Sequence, residues 1–286
     1  MSILSALQTL SALPEVRAAE EQVRQATTQL RWHEGLRRRW QEARAENAIR
    51  TACALAALAG ARVPVAVLRE EVARSAGIPG QAEALAPEES EAAGGRPSRP
   101  DYQLALAAWH ACADVVNCFP PLSGRPGREE NPPAPALLAG WHRSLTAPRG
   151  AHCRPGIPAN PWRAELVADV LAGAGAGEGT NVLVRAAIVQ AELAAGPTFA
   201  HAGHEMGVLA GWYVAVTGGL EPTGAASPAV GAVENPAEYR AALTAYLEGS
   251  TAGIAQWIRF VARAWETGAQ VGKQICDSVL AGKTLP

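Results

Sequence analysis

Lysine is almost missing from this chain: Lys273 and Lys283 are the only two, and arginine carries the remaining positive charge. The formal net charge of −2 gives no overall pull toward nucleic acid or an anionic membrane, so neither is expected as a partner. Cysteine is scarce as well. Cys53, Cys112, Cys118, Cys153 and Cys276 are odd in number, scattered, and never spaced as CxxC. That argues against a disulfide framework and a zinc finger, and it fits a reduced, cytoplasmic setting. No run of about 18 uncharged apolar residues is present, so no membrane span is expected. The first residues lack a basic stretch followed by an apolar core, so a signal peptide is not expected either. An alternating apolar–polar run flanked by hairpin turns is nowhere to be found.

What is plentiful is alanine, the strongest helix former, in a chain whose 286 residues can bury a sizeable core. The expected fold class is all-α. Pro14 to Leu30 reads as a helix with proline at its first position and Val16, Val23 and Leu30 on one stripe. Arg31 to Gly60 starts charged and ends apolar on every side, as one helix running from solvent into a core, with Gly60 as its C-cap. Further helices are expected over Val65 to Ala76, Asp101 to Cys118 with Asp101 as N-cap, Pro135 to Thr146, and Trp162 to Gly173 behind an Asn160-Pro161 start. The chain should close with Ala237 to Glu248 and Ser250 to Leu280. We expect one domain over residues 1–286, with 1–60 an N-terminal helical extension and 78–100 a mobile loop.

Chemistry concentrates in twelve residues, Gly196-Pro197-Thr198-Phe199-Ala200-His201-Ala202-Gly203-His204-Glu205-Met206-Gly207. They hold two of the six histidines and lie between two apolar helical segments, Asn181 to Ala195 and Glu205 to Val216. Imidazole titrates near neutrality, so His201 and His204 can serve as acid and base, with Glu205 orienting one ring or acting itself. Thr198, Phe199 and Gly203 in the loop, Gln190 and Glu192 on the helix before it, and Trp212 on the helix after it are the substrate-contacting candidates. His201, His204 and Glu205 also lie close enough to ligate a metal, with His110, His142 or His152 as a more distant further donor. Their spacing is not H-E-x-x-H, and no metal or other cofactor is expected.

Several stretches, in order, resemble landmarks of bacterial Fic-domain proteins: RWQEARAENAIRTACALAALAGARVPVAVLRE, PALLAGWHRSL, VRAAIVQAELAAG, GLEP and NPAEYRAALTAY. The likeness runs from about Arg31 to about Cys276. It implies a Fic-like helical bundle whose usual activity is transfer of AMP from ATP to a protein hydroxyl. The signature of that family is H-P-F-x-D/E-G-N-G-R-x-x-R between two helices. Placed on Phe199 and counted without gaps, the alignment puts Pro197 at the general base and Thr198 at the following proline. His201 falls at the acidic metal ligand, Ala202 at the first glycine and Gly203 at the asparagine. His204 then stands at the second glycine, Glu205 at the first arginine and Val208 at the last. None of the catalytic set survives. Proline cannot accept the proton, and a carboxylate at position 205 would repel a phosphate by about 4 kcal/mol at 4 Å in an effective dielectric near 20. The family's inhibitory glutamate, expected before a glycine near Ala59-Gly60, is absent too.

AMP transfer is therefore expected to be lost. Two readings stand. In one, the loop does ATP-independent acid–base chemistry (cyclisation, elimination, isomerisation or hydrolysis) on a small molecule, in a biosynthetic setting. In the other, the chain is an inactive binding or regulatory protein. An oligomer is compatible with either.

Overall fold

Helices with capped starts and apolar faces make up almost the whole of the computed structural model, which describes residues 3–75, 98–123, 131–173, 176–177, 179–196 and 198–283. In chain order these are α1 (Ile3–Ser11), α2 (Pro14–Arg31), α3 (Glu34–Leu58), α4 (Val65–Ser75), α5 (Arg99–Asn117) and α6 (Ala134–Thr146). They continue as α7 (Pro161–Leu171), α8 (Val182–Ala195), α9 (Gly203–Thr217), α10 (Ala229–Glu234), α11 (Pro236–Leu247) and α12 (Thr251–Leu280). No strand occurs among the described residues, only an isolated bridge between Ala176 and Thr180. The all-α expectation holds.

Most boundaries follow from local chemistry. Asn160 caps α7 by accepting from the Arg163 N–H at 3.1 Å, and Asn181 caps α8 by accepting from Val184 at 2.8 Å. Gly60, at φ 89°, ends the run from α3 in the left-handed region that favours glycine. One cap differs from expectation: Ser98, not Asp101, starts α5, and its hydroxyl accepts from the Asp101 N–H at 3.3 Å. Serine is as good a cap as aspartate, and Arg99-Pro100 fits the first turn, so the helix gains residues there. Between the turn after α9 and the start of α11 lies the short α10. Residues 76–97, most of the expected mobile loop, lie outside the described residues.

At the centre are α8 and α9, nearly every residue of which is buried. A glycine stripe sets their spacing. A Cβ on Gly203 would stand 2.6 Å from the Leu193 carbonyl oxygen, one on Gly207 2.5 Å from that of Gln190, and one on Gly211 3.3 Å from that of Ala186. Only hydrogen fits there, so α9 lies directly on the backbone of α8. Around this pair α12 packs on α2, α11, α3, α10 and α8, and α3 packs on α5. The expected stripe of α2 (Val16, Val23, Leu30) is buried, as are Trp257, Ile258, Val261 and Trp265 of α12.

The turn after α9 is fixed by a buried polar node. Glu221 accepts from the Thr223 hydroxyl, from the Thr223 N–H at 3.1 Å and from the Gly224 N–H at 2.8 Å. Arg44 of α3 donates to the carbonyls of Thr223 at 2.6 Å and Pro120 at 2.8 Å. Burial pushes the Glu221 carboxyl up to about 7, against those hydrogen bonds and the Arg44 charge.

Three stability measurements check this frame. Gly207→Ala should destabilise by about 2–3 kcal/mol in urea, since the new methyl meets backbone and not a yielding side chain. Gly140→Ala in α6, where the nearest atom is the Arg143 guanidinium at 3.9 Å, should stabilise by about 0.5–1 kcal/mol. Between about pH 4.5 and 7 folded Glu221 keeps a proton that the unfolded chain releases. Its contribution is therefore full at low pH and lost as pH rises through 7, by roughly 3–4 kcal/mol. Glu221→Gln should flatten that slope.

Candidate functional site

The loop between α8 and α9 is pinned from both sides. The Thr198 hydroxyl donates to the Glu192 carbonyl at 2.9 Å. The Thr198 carbonyl accepts from the N–H groups of Ala159 at 2.9 Å and Asn160 at 3.3 Å, so the loop is tied to the entry of α7. Phe199 turns inward, its ring 4.5 Å from that of His142 and 32° from parallel. Ala202 then takes a left-handed conformation, φ 57° and ψ 26°, and its carbonyl accepts from Met206 at 2.8 Å as α9 begins. Pro197 lies outside the described residues.

Helical phase separates the three proposed catalytic groups. His201 is exposed, its ring 6.1 Å from that of His152. His204, in the first turn of α9, shares a 2.8 Å hydrogen bond through Nδ1 with the Tyr239 hydroxyl of α11. Glu205, one residue on, is buried and accepts at Oε1 from Nη2 of Arg149 at 2.9 Å. Arg149 comes from a short 3-10 turn, Ala147–Arg149, and a second such turn, Ala151–Cys153, follows. A carboxylate in the first turn of a helix is favoured by the helix dipole as well as by its guanidinium partner. Burial, aided by the Glu205 charge, raises the Tyr239 phenol above its ordinary range, so it stays protonated.

His142 sits beneath the loop with no exposure. Its Nδ1 accepts from the Gly156 N–H at 2.9 Å, which places the ring proton of the neutral form on Nε2. That Nε2 is buried without a hydrogen-bond partner. Burial pulls the imidazole down to about 4, against a smaller opposite pull from the His201 backbone, so it is neutral at pH 7.

The remaining candidates are placed as follows. Glu192 is committed: Oε2 accepts from Arg163 Nη1 at 2.9 Å and Oε1 from the Tyr246 hydroxyl at 2.6 Å, which straps α8 to α7 and α11. Gln190 is buried, with Oε1 unpartnered under Gly211. Trp212 is wholly buried, edge-on to Phe119 at 5.2 Å. Gly203 lies against the Leu193 carbonyl. Thus His204 and Glu205 gather at one end of α9, His201 stands outside them, and Gln190 and Trp212 belong to the packed interior. Among the described residues no group of three His, Cys, Asp or Glu side chains is placed to hold a metal ion. Cys153, in the turn after Arg149, is buried.

With this geometry in place, solved structures give a clear likeness. A Fic family protein from Desulfovibrio desulfuricans G20 superposes with TM-score 0.63 at 14% identity, over 96% of this chain and 77% of that one. The fold is Fic-like. A fragment of Fic-1 from C. elegans gives TM-score 0.60 at 15% identity, over 91% of this chain and 71% of that one. No family model matches the chain. No curated protein matches it in sequence.

Four side chains that pair with the candidate residues escape sequence reading: Arg149, Tyr239, Arg163 and Tyr246. Tyr239 and Tyr246 stand seven residues apart on one face of α11, a period that could have flagged them. Arg149, in a loop rich in proline and glycine, carries no periodic signal.

Glu205 with Arg149 removed is a buried anion without its cation. Arg149→Ala should cost about 1–2 kcal/mol in chemical denaturation, the guanidinium being partly solvated, and adding Glu205→Gln should recover most of that loss. An unchanged midpoint in the single variant would make the pair inconsequential.

Proposed function

We propose that this chain does not transfer AMP and instead performs acid–base chemistry on a small molecule at His201, His204 and Glu205. The reading of lost AMP transfer is carried by the Arg149–Glu205 pair. A carboxylate occupies the N-terminal turn of α9, and the nearest guanidinium is spent on it. The sequence treats Glu205 as a bare charge that repels phosphate; with Arg149 beside it the pair is neutral. Exclusion then comes from occupancy: a triphosphate would have to displace a partner already bound at 2.9 Å. The left-handed backbone of Ala202 falls where the signature has its first glycine, which supports the gap-free alignment.

The acid–base part is supported by His204. Tyr239 fixes the ring through Nδ1 and leaves Nε2 without a protein partner among the described residues. A tyrosine so placed holds the ring in one orientation, its hydroxyl able to donate to Nδ1 or accept from it. Because the Tyr239 phenol stays protonated, it keeps an O–H in place and orients the ring without exchanging charge with it. His201 and His152 add two exposed imidazoles, their rings 6.1 Å apart. Cyclisation, elimination, isomerisation and hydrolysis all need no more than this, without nucleotide. A cytoplasmic place in specialised biosynthesis belongs to this proposal; on the structural side, no described helix is long and apolar enough to cross a membrane.

One observation favours the rival, an inactive binding or regulatory protein. Both Glu205 and His204 already have intramolecular partners.

The same experiment separates them. Purified protein is incubated with a metabolite extract, with and without ATP and Mg²⁺, and followed by mass spectrometry. The proposal expects a small-molecule feature consumed equally with or without ATP, by the native protein and not by His201→Ala/His204→Ala, and no AMP-modified protein. Consumption undiminished in the double variant removes the acid–base assignment. An AMP adduct on protein overturns the account of Glu205, and no change in any feature favours the rival.

A further inference from the structure

The α6–α7 side of the loop holds a cavity of about 550 Å³ that the proposed chemistry does not use. That size is typical of small-molecule sites. Its walls are apolar: Leu138 and Ala139 of α6, Pro158 before α7, Ala164 and Ala168 of α7, and Phe199 of the loop. Two polar side chains break that surface, Glu165 and Asp169, one turn apart on α7 and both exposed. Neither is ion-paired to another described residue. Trp162 lies three residues before Glu165 and seven before Asp169, on the same helical stripe, and is 69% exposed. Trp162 is not part of the cavity wall, but an open indole on the stripe of two unpaired carboxylates offers its face to an organic cation.

We propose that this cavity binds an organic ammonium compound, its apolar body against Phe199, Ala164 and Ala168 and its cationic head between Glu165 and Asp169. The charge decides between occupants. A carboxylate-bearing or phosphorylated ligand would meet two anions and no described cation in the lining. A neutral apolar ligand would gain nothing from them. The binding energy comes mainly from the apolar walls, since ion pairs at exposed carboxylates are weak; the acids and Trp162 supply selectivity. The site touches the loop through Phe199, whose ring rests on His142. It does not rest on the acid–base proposal and stands or falls without it.

The test is calorimetry at low salt with three matched probes: 4-phenylbutylamine, 4-phenyl-1-butanol and 4-phenylbutyrate. The amine should bind about tenfold tighter than the alcohol, and the acid should bind weakest. Glu165→Gln/Asp169→Asn, both surface changes that leave the core intact, should bring amine and alcohol within about twofold. Ala164→Phe should fill the cavity and weaken all three probes at least tenfold. A Trp162→Ala variant should weaken the amine and spare the alcohol. Equal affinity for amine and alcohol in the native protein, no binding of the amine, or unchanged affinity in Ala164→Phe would each overturn the proposal.

Discussion

Everything at the centre of this molecule depends on how closely α9 can lie on α8. Gly203, Gly207 and Gly211 put hydrogen where any other residue would drive a Cβ into the carbonyls of Leu193, Gln190 and Ala186. That contact fixes not only a distance but a rotation. With the glycines facing α8, the intervening residues of α9 must point elsewhere, each turned about 100° from the last. His204 is thereby sent toward α11 and Tyr239, and Glu205 toward the 147–149 turn and Arg149. Two neighbours in sequence thus have different partners because of a packing constraint on a third residue beside them.

The same contact explains which parts of the fold are legible in sequence. Helix starts are local events, written in Asn160-Pro161, Asn181 and the stripes of α2 and α12, and they fall where the pattern puts them. Interiors are harder. The α8 and α9 helices are apolar over most of their surface, so no broad polar face says which side meets a cavity. Gln190 and Trp212, read as lining a site, are packed because every face of these two helices is covered. Gly203, read as a ligand contact, lies against the neighbouring backbone. Glu205 could be recognised as a charge in an unusual place, but its cation arrives from a turn 56 residues away with no periodic pattern to announce it.

The loop's shape and its side chains tell different stories. Ala202 holds a left-handed conformation that costs an L-residue roughly 1–2 kcal/mol. It persists because its surroundings over-determine it: Thr198 is tied to Glu192, Ala159 and Asn160, Phe199 is stacked on His142, and Met206 returns to the Ala202 carbonyl. Each of these ties belongs to the packing of α8, α9 and the entry of α7. None of them needs a phosphate, a metal or a reacting group.

It follows that a Fic-like loop geometry is by itself no evidence of Fic chemistry. The backbone path is what the glycine contact and its surrounding hydrogen bonds produce, whatever side chains it displays. Function has to be argued from groups that the packing leaves over. In this chain those are few. Glu192, Gln190, Trp212 and Gly203 are consumed by the fold, and Glu205 is held by Arg149 at one oxygen. His204 is held by Tyr239 at one nitrogen only, with the other not required by any described neighbour. A ring oriented by a buried tyrosine, yet with one nitrogen unspent, goes beyond what the α8–α9 contact demands, and it is the feature on which an acid–base role has to rest.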